Sequence, residues 1–270
     1  MACFVCATCG VQFADSGGHP PPRCPVCEDE RQFLPLDGQT WTTLDDLRRS
    51  GRRNAFERYE TGLYGIATTP DFAIGQRALL VRAADGNVLW DCITLLDDAT
   101  IDIVTALGGI DAIAISHPHF YSAMVEWSRV FDAPIHLHED DREWVMRPDP
   151  AVRFWDGDRL ALEQGPTLIR CGGHFEGSAV LHWSDGAEGR GVLMTGDTVA
   201  IAEDTDWVSF MRSYPNRIPL PAATVRTIGE RLDPLPYDRL YGGFRGKRIA
   251  HDAKNAVRRS VDRYLKALED

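Results

Sequence analysis

The sequence predicts an α/β protein with a small cysteine-rich module at its N-terminus. Three observations carry that prediction. Four cysteines form two C-x-x-C pairs within the first 27 residues. Short apolar, β-branched runs alternate with amphipathic segments through the middle of the chain, as sheet strands and their covering helices do. The later part turns strand-rich before it closes on an amphipathic helix. A chain of 270 residues with 44% hydrophobic content can bury one large core and still carry a small appendage.

The elements follow in order. Residues 1–35 hold the cysteine module, and 36–61 read as a linker and a helix over Leu44 to Glu60, with Thr43 or Asp45 as its cap. The main domain is assigned to 62–270. It opens on a hairpin, Ala78 to Arg82 and Val88 to Cys92, joined by a turn at Ala84-Asp85-Gly86-Asn87. Asp97 to Leu107 is a helix stopped by Gly108-Gly109, and the apolar run Ile110 to Ile115 is the next strand. A helix from about Ser122 to Phe131, a strand Pro134 to His138 and an acidic helix start at Glu139-Asp140-Asp141 complete the alternating part. Strands then follow at Thr167 to Cys171, Ala179 to Trp183, Val192 to Met194 and Arg239 to Tyr241, and Asp252 to Leu268 is the terminal helix.

A formal charge of -11 argues against broad binding to nucleic acid or an anionic membrane, because the overall repulsion opposes phosphate. No stretch reaches the roughly 18 apolar residues of a membrane span, and a cytoplasmic protein is expected. The Cys3 thiol is read as a spare. Cys6, Cys9, Cys24 and Cys27 form two tight knuckles, with Gly10 allowing one turn and Pro25 fixing the other, and their thiolates can enclose one ion in tetrahedral geometry. The pattern resembles rubredoxin knuckles and zinc ribbons. Zinc is favoured by the short Gly/Pro-rich loop, and iron stays open. A closed four-sulfur site leaves no coordination position for chemistry, so its role is structural or a docking role toward a protein partner.

Chemistry gathers instead at strand ends. Ser116-His117-Pro118-His119 follows the strand Ile110 to Ile115, and in extended backbone residues i and i+2 point to one side, so both imidazoles can reach one metal. His174 sits in Gly172-Gly173-His174-Phe175-Glu176-Gly177-Ser178, and Asp197 in Thr195-Gly196-Asp197-Thr198, each after a strand. Glycines flank both where backbones must crowd together.

In this order and spacing the segments resemble the metallo-β-lactamase superfamily over residues 62 to 270. The resemblance implies an αββα sandwich whose metal ligands come from strand-end loops. Its H-x-H-x-D-H motif matches at His117 and His119, its second motif at His174 and its Gly-Asp at Asp197, while Asp91 falls where the family keeps a buried supporting Asp. The departures matter equally. Tyr121 and Ser122 stand where the family has the Asp and His of a second metal, and Gly242-Gly243-Phe244-Arg245 stands where its last His is expected. The resemblance thus implies one metal, zinc or iron, held by His117, His119, His174 and Asp197. His251 is read as a helix cap, His136, His138 and His182 as strand residues and His19 as solvated.

Three functions fit this pattern. The leading one is a hydrolase with a degenerate, mononuclear zinc site acting on a small ester, lactone or thioester, with Asp197 orienting water and Tyr121 donating to the developing oxyanion. A mononuclear Fe(II) thiol or persulfide dioxygenase using His117, His174 and Asp197 is an alternative within the superfamily. The third is a non-catalytic, metal-stabilised scaffold, in which Phe244, Arg245, Lys247 and Arg248 would form an anion or protein contact.

Overall fold

The computed structural model describes residues 3–268. In the N-terminal module β1 (Phe4–Cys6) pairs antiparallel with β2 (Trp41–Thr43). The first large sheet has seven strands in sequence order: β3 (Arg53–Glu60), β4 (Leu63–Thr69), β5 (Arg77–Ala83), β6 (Gly86–Trp90), β7 (Ala112–Ala114), β8 (Ile135–His138) and β9 (Val152–Trp155). Pairing is antiparallel through β6 and parallel from β6 to β9. The second sheet runs β10 (Arg159–Ala161), β11 (Thr167–Arg170), β12 (Ala179–Trp183) and β13 (Val192–Met194). Two small hairpins follow in the chain, β14 (Ala200–Ile201) with β15 (Val208–Ser209), and β16 (Met211–Ser213) with β17 (Ile218–Pro219). The second sheet is completed by β18 (Arg239–Tyr241), parallel to β13, and β19 (Arg248–Ile249).

The period of two along β5 builds the layers. Leu79 and Val81 face the second sheet, in one cluster with Leu181, Trp183 and Met194. Ala78 and Leu80 face the opposite way, toward Val104 of the helix Asp98–Ala106 and Trp127 of the helix Met124–Phe131. The second sheet repeats this arrangement: Val180, Leu193 and Leu240 meet Val225 and Ile228 of the helix Ala222–Leu232 and Val257 of the helix Ala253–Ala267. The result is the expected αββα sandwich, with each buried aliphatic side chain contributing about 1.5–3 kcal/mol.

One element departs from expectation. The helix read over Leu44 to Glu60 ends at Arg49, and Gly51, at φ +79°, turns the chain into β3. Thr43 caps the short helix by accepting from the Asp46 amide. Residues 53–60 therefore edge the large sheet, although the sequence placed the main domain from 62. Likewise β2 belongs with β1, beyond the boundary at 35. Among the described residues no helix is long and apolar enough to cross a membrane.

Candidate metal centre and its cleft

Two clusters of metal-ligating side chains form among the described residues, and both are buried. In the first, the Cys6 and Cys27 sulfurs lie 3.5 Å apart and those of Cys9 and Cys24 3.7 Å apart. A tetrahedral ion with metal–sulfur bonds of about 2.3 Å needs sulfur–sulfur edges of about 3.8 Å, so the spacing fits. Thiol hydrogen bonds from Cys24, Cys27 and Cys9 push the Cys6 thiol far down, whereas burial pushes Cys9 up. The sulfurs are thus crowded enough to share protons, an arrangement that a cation replaces.

The second cluster is His117, His119, His174 and Asp197, whose ligand atoms lie within 4.8 Å of one another. The chain reaches it from the C-terminal ends of β7, β11 and β13. The two neighbouring histidines converge by a route other than the extended one expected: His117 is extended, but Pro118–Phe120 forms a 3-10 turn that brings His119 round. His174 Nε2 lies 3.2 Å from His119 Nδ1, and His117 Nε2 lies 3.6 Å from Asp197 Oδ2. Ligand bonds of about 2.0–2.1 Å imply tetrahedral edges of about 3.4 Å, which these distances bracket. The Nε2 of His117 is buried without a hydrogen-bond partner, an orphan that a metal would satisfy.

The surrounding structure fixes the imidazoles. The Ser116 hydroxyl meets His117 Nδ1 at 2.8 Å, and the Ser116 amide donates to Asp91 Oδ1 at 2.8 Å. The Met211 carbonyl, on β16, takes His174 Nδ1 at 3.2 Å, which leaves His174 Nε2 for the cluster. A Cβ on Gly196 would come 2.3 Å from the Ser116 hydroxyl, so glycine before Asp197 is what permits the approach. Burial drives His117 and His119 well below the usual imidazole range and His174 to about 4, keeping all three neutral as ligands must be. Burial also pushes the Asp197 carboxyl up to about 7.

Tyr121 is not brought to the cluster. Its hydroxyl lies 3.5 Å from the Asp141 carbonyl, and the side chain lies with Val11, Gln12 and Arg147, outside the cleft, so an oxyanion-donor role has no geometric support. Ser122, at φ +44°, turns its hydroxyl to the Cys92 carbonyl and accepts from Gln76 Nε2. The neighbour of the cluster that the structure adds is Phe120, fully buried against His117. Its ring lies 4.3 Å from that of His117, and a Cβ on Gly243 would come within 2.6 Å of it. No sequence signal marked Phe120.

The remaining candidates disperse. His251 is exposed beside Asp238, His138 bonds the Gly157 carbonyl, His182 that of Pro236, and His19 is exposed. Of the set read as an anion or protein contact, Phe244 and Lys247 line the cleft that opens over the cluster, with Phe244 packed on Phe120 and Lys247 paired with Glu203, while Arg245 holds the Ala67 carbonyl.

A cleft of about 870 Å³ opens over His119, His174 and Asp197. One wall comes from the main domain, with Ile201, Met211, Tyr214 and Phe244, and the other from the cysteine module, with Ala7, Thr8, Arg31 and Phe33. The module docks through backbone bonds from Gln12 to Ser122 and Ala14 to Met146, and through Thr94 to Gly10.

The loop that carries His174 is tied down by Asp141, which accepts from the Gly177 amide at 2.8 Å. Burial raises the Asp141 carboxyl to about 7. The folded state then binds a proton that the unfolded chain has released, so stability falls as pH rises from about 4 to about 7. Asp141→Asn keeps the acceptor and removes this penalty. Its stability relative to wild type should grow by about 2–3 kcal/mol between pH 5 and pH 8, followed by denaturant unfolding. A pH-independent difference would show that Asp141 is not held protonated.

Comparisons with known proteins agree with this architecture. The metallo-beta-lactamase superfamily model matches residues 73–243. The "Uncharacterized protein YmaE" of Bacillus subtilis (strain 168) is 53% identical over 269 residues, covering 99% of this chain and 97% of that one. A solved metallo-beta-lactamase of Cronobacter sakazakii with a HARLDQ motif superposes with a TM-score of 0.52 at 18% identity, over 79% of this chain and 92% of its own. The DIM-1 metallo-beta-lactamase does so with a TM-score of 0.58 at 13% identity, over 80% and 98%. At such identities the solved structures speak for the fold, while the model match spans well over half of the chain. With its His/Asp cluster at the strand ends of an αββα sandwich and a four-cysteine module beside it, the chain belongs to the metallo-β-lactamase superfamily.

Proposed function

We propose that the protein is a metal-dependent hydrolase with one metal in the His117, His119, His174 and Asp197 cluster, acting on a small ester, lactone or thioester with an apolar acyl group. The observation that carries this reading is a compact set of three imidazoles and one carboxylate at the floor of an apolar cleft, with Phe120 packed against His117. Zinc is the favoured ion at both clusters. When bound at the His/Asp cluster it supplies Lewis-acid polarisation of a carbonyl and acidifies water to a pKa near about 7.

This chain's own residues supply the rest. Ser116 and Met211 hold the imidazoles of His117 and His174 in one orientation. For hydrolysis the three imidazoles would hold the ion and leave a position open, while Asp197 presents a carboxylate oxygen that orients attacking water by accepting its hydrogen bond. Ile201, Met211 and Phe244 accommodate the acyl group and exclude bulk water, which strengthens electrostatic interactions at the floor. The Tyr214 hydroxyl on that wall is engaged with the Asp197 and Ser209 carbonyls.

A second reading has one observation in its favour. Four ligand atoms close enough for a filled tetrahedral shell also suit a structural ion in a non-catalytic scaffold. A panel of 4-nitrophenyl butyrate, a γ-lactone and a butyryl thioester separates the two. Hydrolysis is expected with two metal equivalents bound, and His117→Ala should retain one equivalent and lose at least about 1,000-fold in rate. No hydrolysis of any of the three by the fully loaded protein would favour the scaffold.

A further inference from the structure

We infer that Arg31, delivered by the cysteine module, is a positioning residue for the central ligand His174, so that the two clusters are mechanically linked. Arg31 is 6% exposed, although it lies in a surface appendage. Its Nε donates to the His174 carbonyl at 2.6 Å, across 143 positions of sequence. Its guanidinium lies 4.3 Å from the centre of the Phe175 ring, the next residue of the same loop. A planar, always-charged guanidinium can make both contacts at once.

Arg31 is itself anchored to the cysteine knuckle. Cys27 lies in the single turn Pro25–Glu28, and Asp29 follows directly, its amide closing that turn on the Pro25 carbonyl. The Asp29 carboxylate accepts from both the amide and Nη1 of Arg31, at 2.9 Å each. From the other side the β16–β17 hairpin grips the same segment. Ser213 donates to the Arg31 carbonyl, and Asn216 Nδ2 donates to the Glu30 and Gln32 carbonyls at 2.8 Å. That hairpin also supplies Met211, the carbonyl partner of the His174 ring. His174 is therefore held twice, at its imidazole by Met211 and at its backbone by Arg31, and both holds meet on one clamp.

A histidine ligand contributes affinity only while its ring stays aimed, and removing the groups that aim it typically costs 10–100-fold in metal affinity. The inference rests on metal binding at the cluster and not on turnover, so it stands or falls separately from the hydrolase reading. The test is titration of the full-length protein with Co²⁺ against a competing chelator. Thiolate-to-cobalt absorption reports the four-cysteine site and the weaker d–d bands of a nitrogen/oxygen site report the His/Asp cluster. Arg31→Met should weaken cobalt binding at the His/Asp cluster by about 10-fold or more and shift its d–d bands, with the thiolate signal unchanged. Arg31→Lys, which keeps a cationic donor without the planar fork, should fall between the two, and it decides the matter alone if the methionine variant does not fold. Wild-type affinity and an unshifted d–d spectrum at the His/Asp cluster in a folded variant would overturn the inference.

Discussion

Cys24→Ser is expected to release the metal of the four-cysteine site and to unfold the cysteine module locally, while the sandwich stays folded. The module has little to hold it otherwise. Its sheet is a pair of three-residue strands, and its buried side chains are few: Val5, Val11, Phe13 and Val26, with Leu44 at the boundary. Two such strands are marginal in water by themselves. Structural zinc contributes about 10–16 kcal/mol of apparent binding free energy in comparable small modules, and much of it is folding free energy. Losing one of four thiolates should remove enough of that to expose the amides of residues 4–13 and 24–32. Their hydrogen-exchange protection should fall by at least about 1,000-fold, roughly 4 kcal/mol of local opening, while β11 to β13 keep theirs. The cleft would lose the wall carrying Ala7, Thr8, Arg31 and Phe33. If the module's amides stayed protected with the metal gone, packing against the main domain, and not the ion, would be what folds it.

How far the sequence discloses this protein depends on whether a signal is local. The β5–β6 hairpin was legible because two short apolar runs, Ala78 to Val81 and Val88 to Trp90, flank a polar, glycine-containing turn. The four-cysteine cluster was legible because two knuckles at fixed spacing can do little else. His174 and Asp197 were legible through their glycines and through family resemblance, and both lie in the cluster. By contrast, residues 44 to 60 carry apolar positions that satisfy a helix and a strand at once, and the decision falls to pairing with β4, which no window of sequence contains. Tyr121 shows a different limit. The sequence tells which residue replaces a family ligand, but the left-handed backbone at Ser122 and the packing against Gln12 and Arg147 decide where its phenol goes. Arg31 and Phe120 had no local mark at all, since their partners are far away in sequence: His174 for one and Gly243 for the other.

Phe120 and Gly243 should behave as one unit in a double-mutant cycle. Phe120 is fully buried between His117 and Phe244, and its truncation to alanine is expected to cost about 3–5 kcal/mol through lost burial and a residual cavity. Gly243→Ala places a Cβ 2.6 Å from two ring atoms, and retreat of the backbone would strain the 2.8 Å bond that the Gly243 carbonyl accepts from the Arg77 amide. Overpacking of that kind costs about 1–3 kcal/mol. In Phe120→Ala the offending atoms are gone, so adding Gly243→Ala should cost almost nothing more, giving a favourable coupling of about 1–3 kcal/mol by denaturant unfolding. The same geometry bears on metal number. Asp197 Oδ1 lies 3.6 Å from where that Cβ would sit, so an imidazole at 243 would stand beside the carboxylate once the ring is removed. Phe120→Ala combined with Gly243→His should therefore bind more zinc than either single variant, counted by mass spectrometry. Additive stabilities and unchanged metal content would mean that the ring packs there without blocking a second ion, and the mononuclear reading would lose its main structural support.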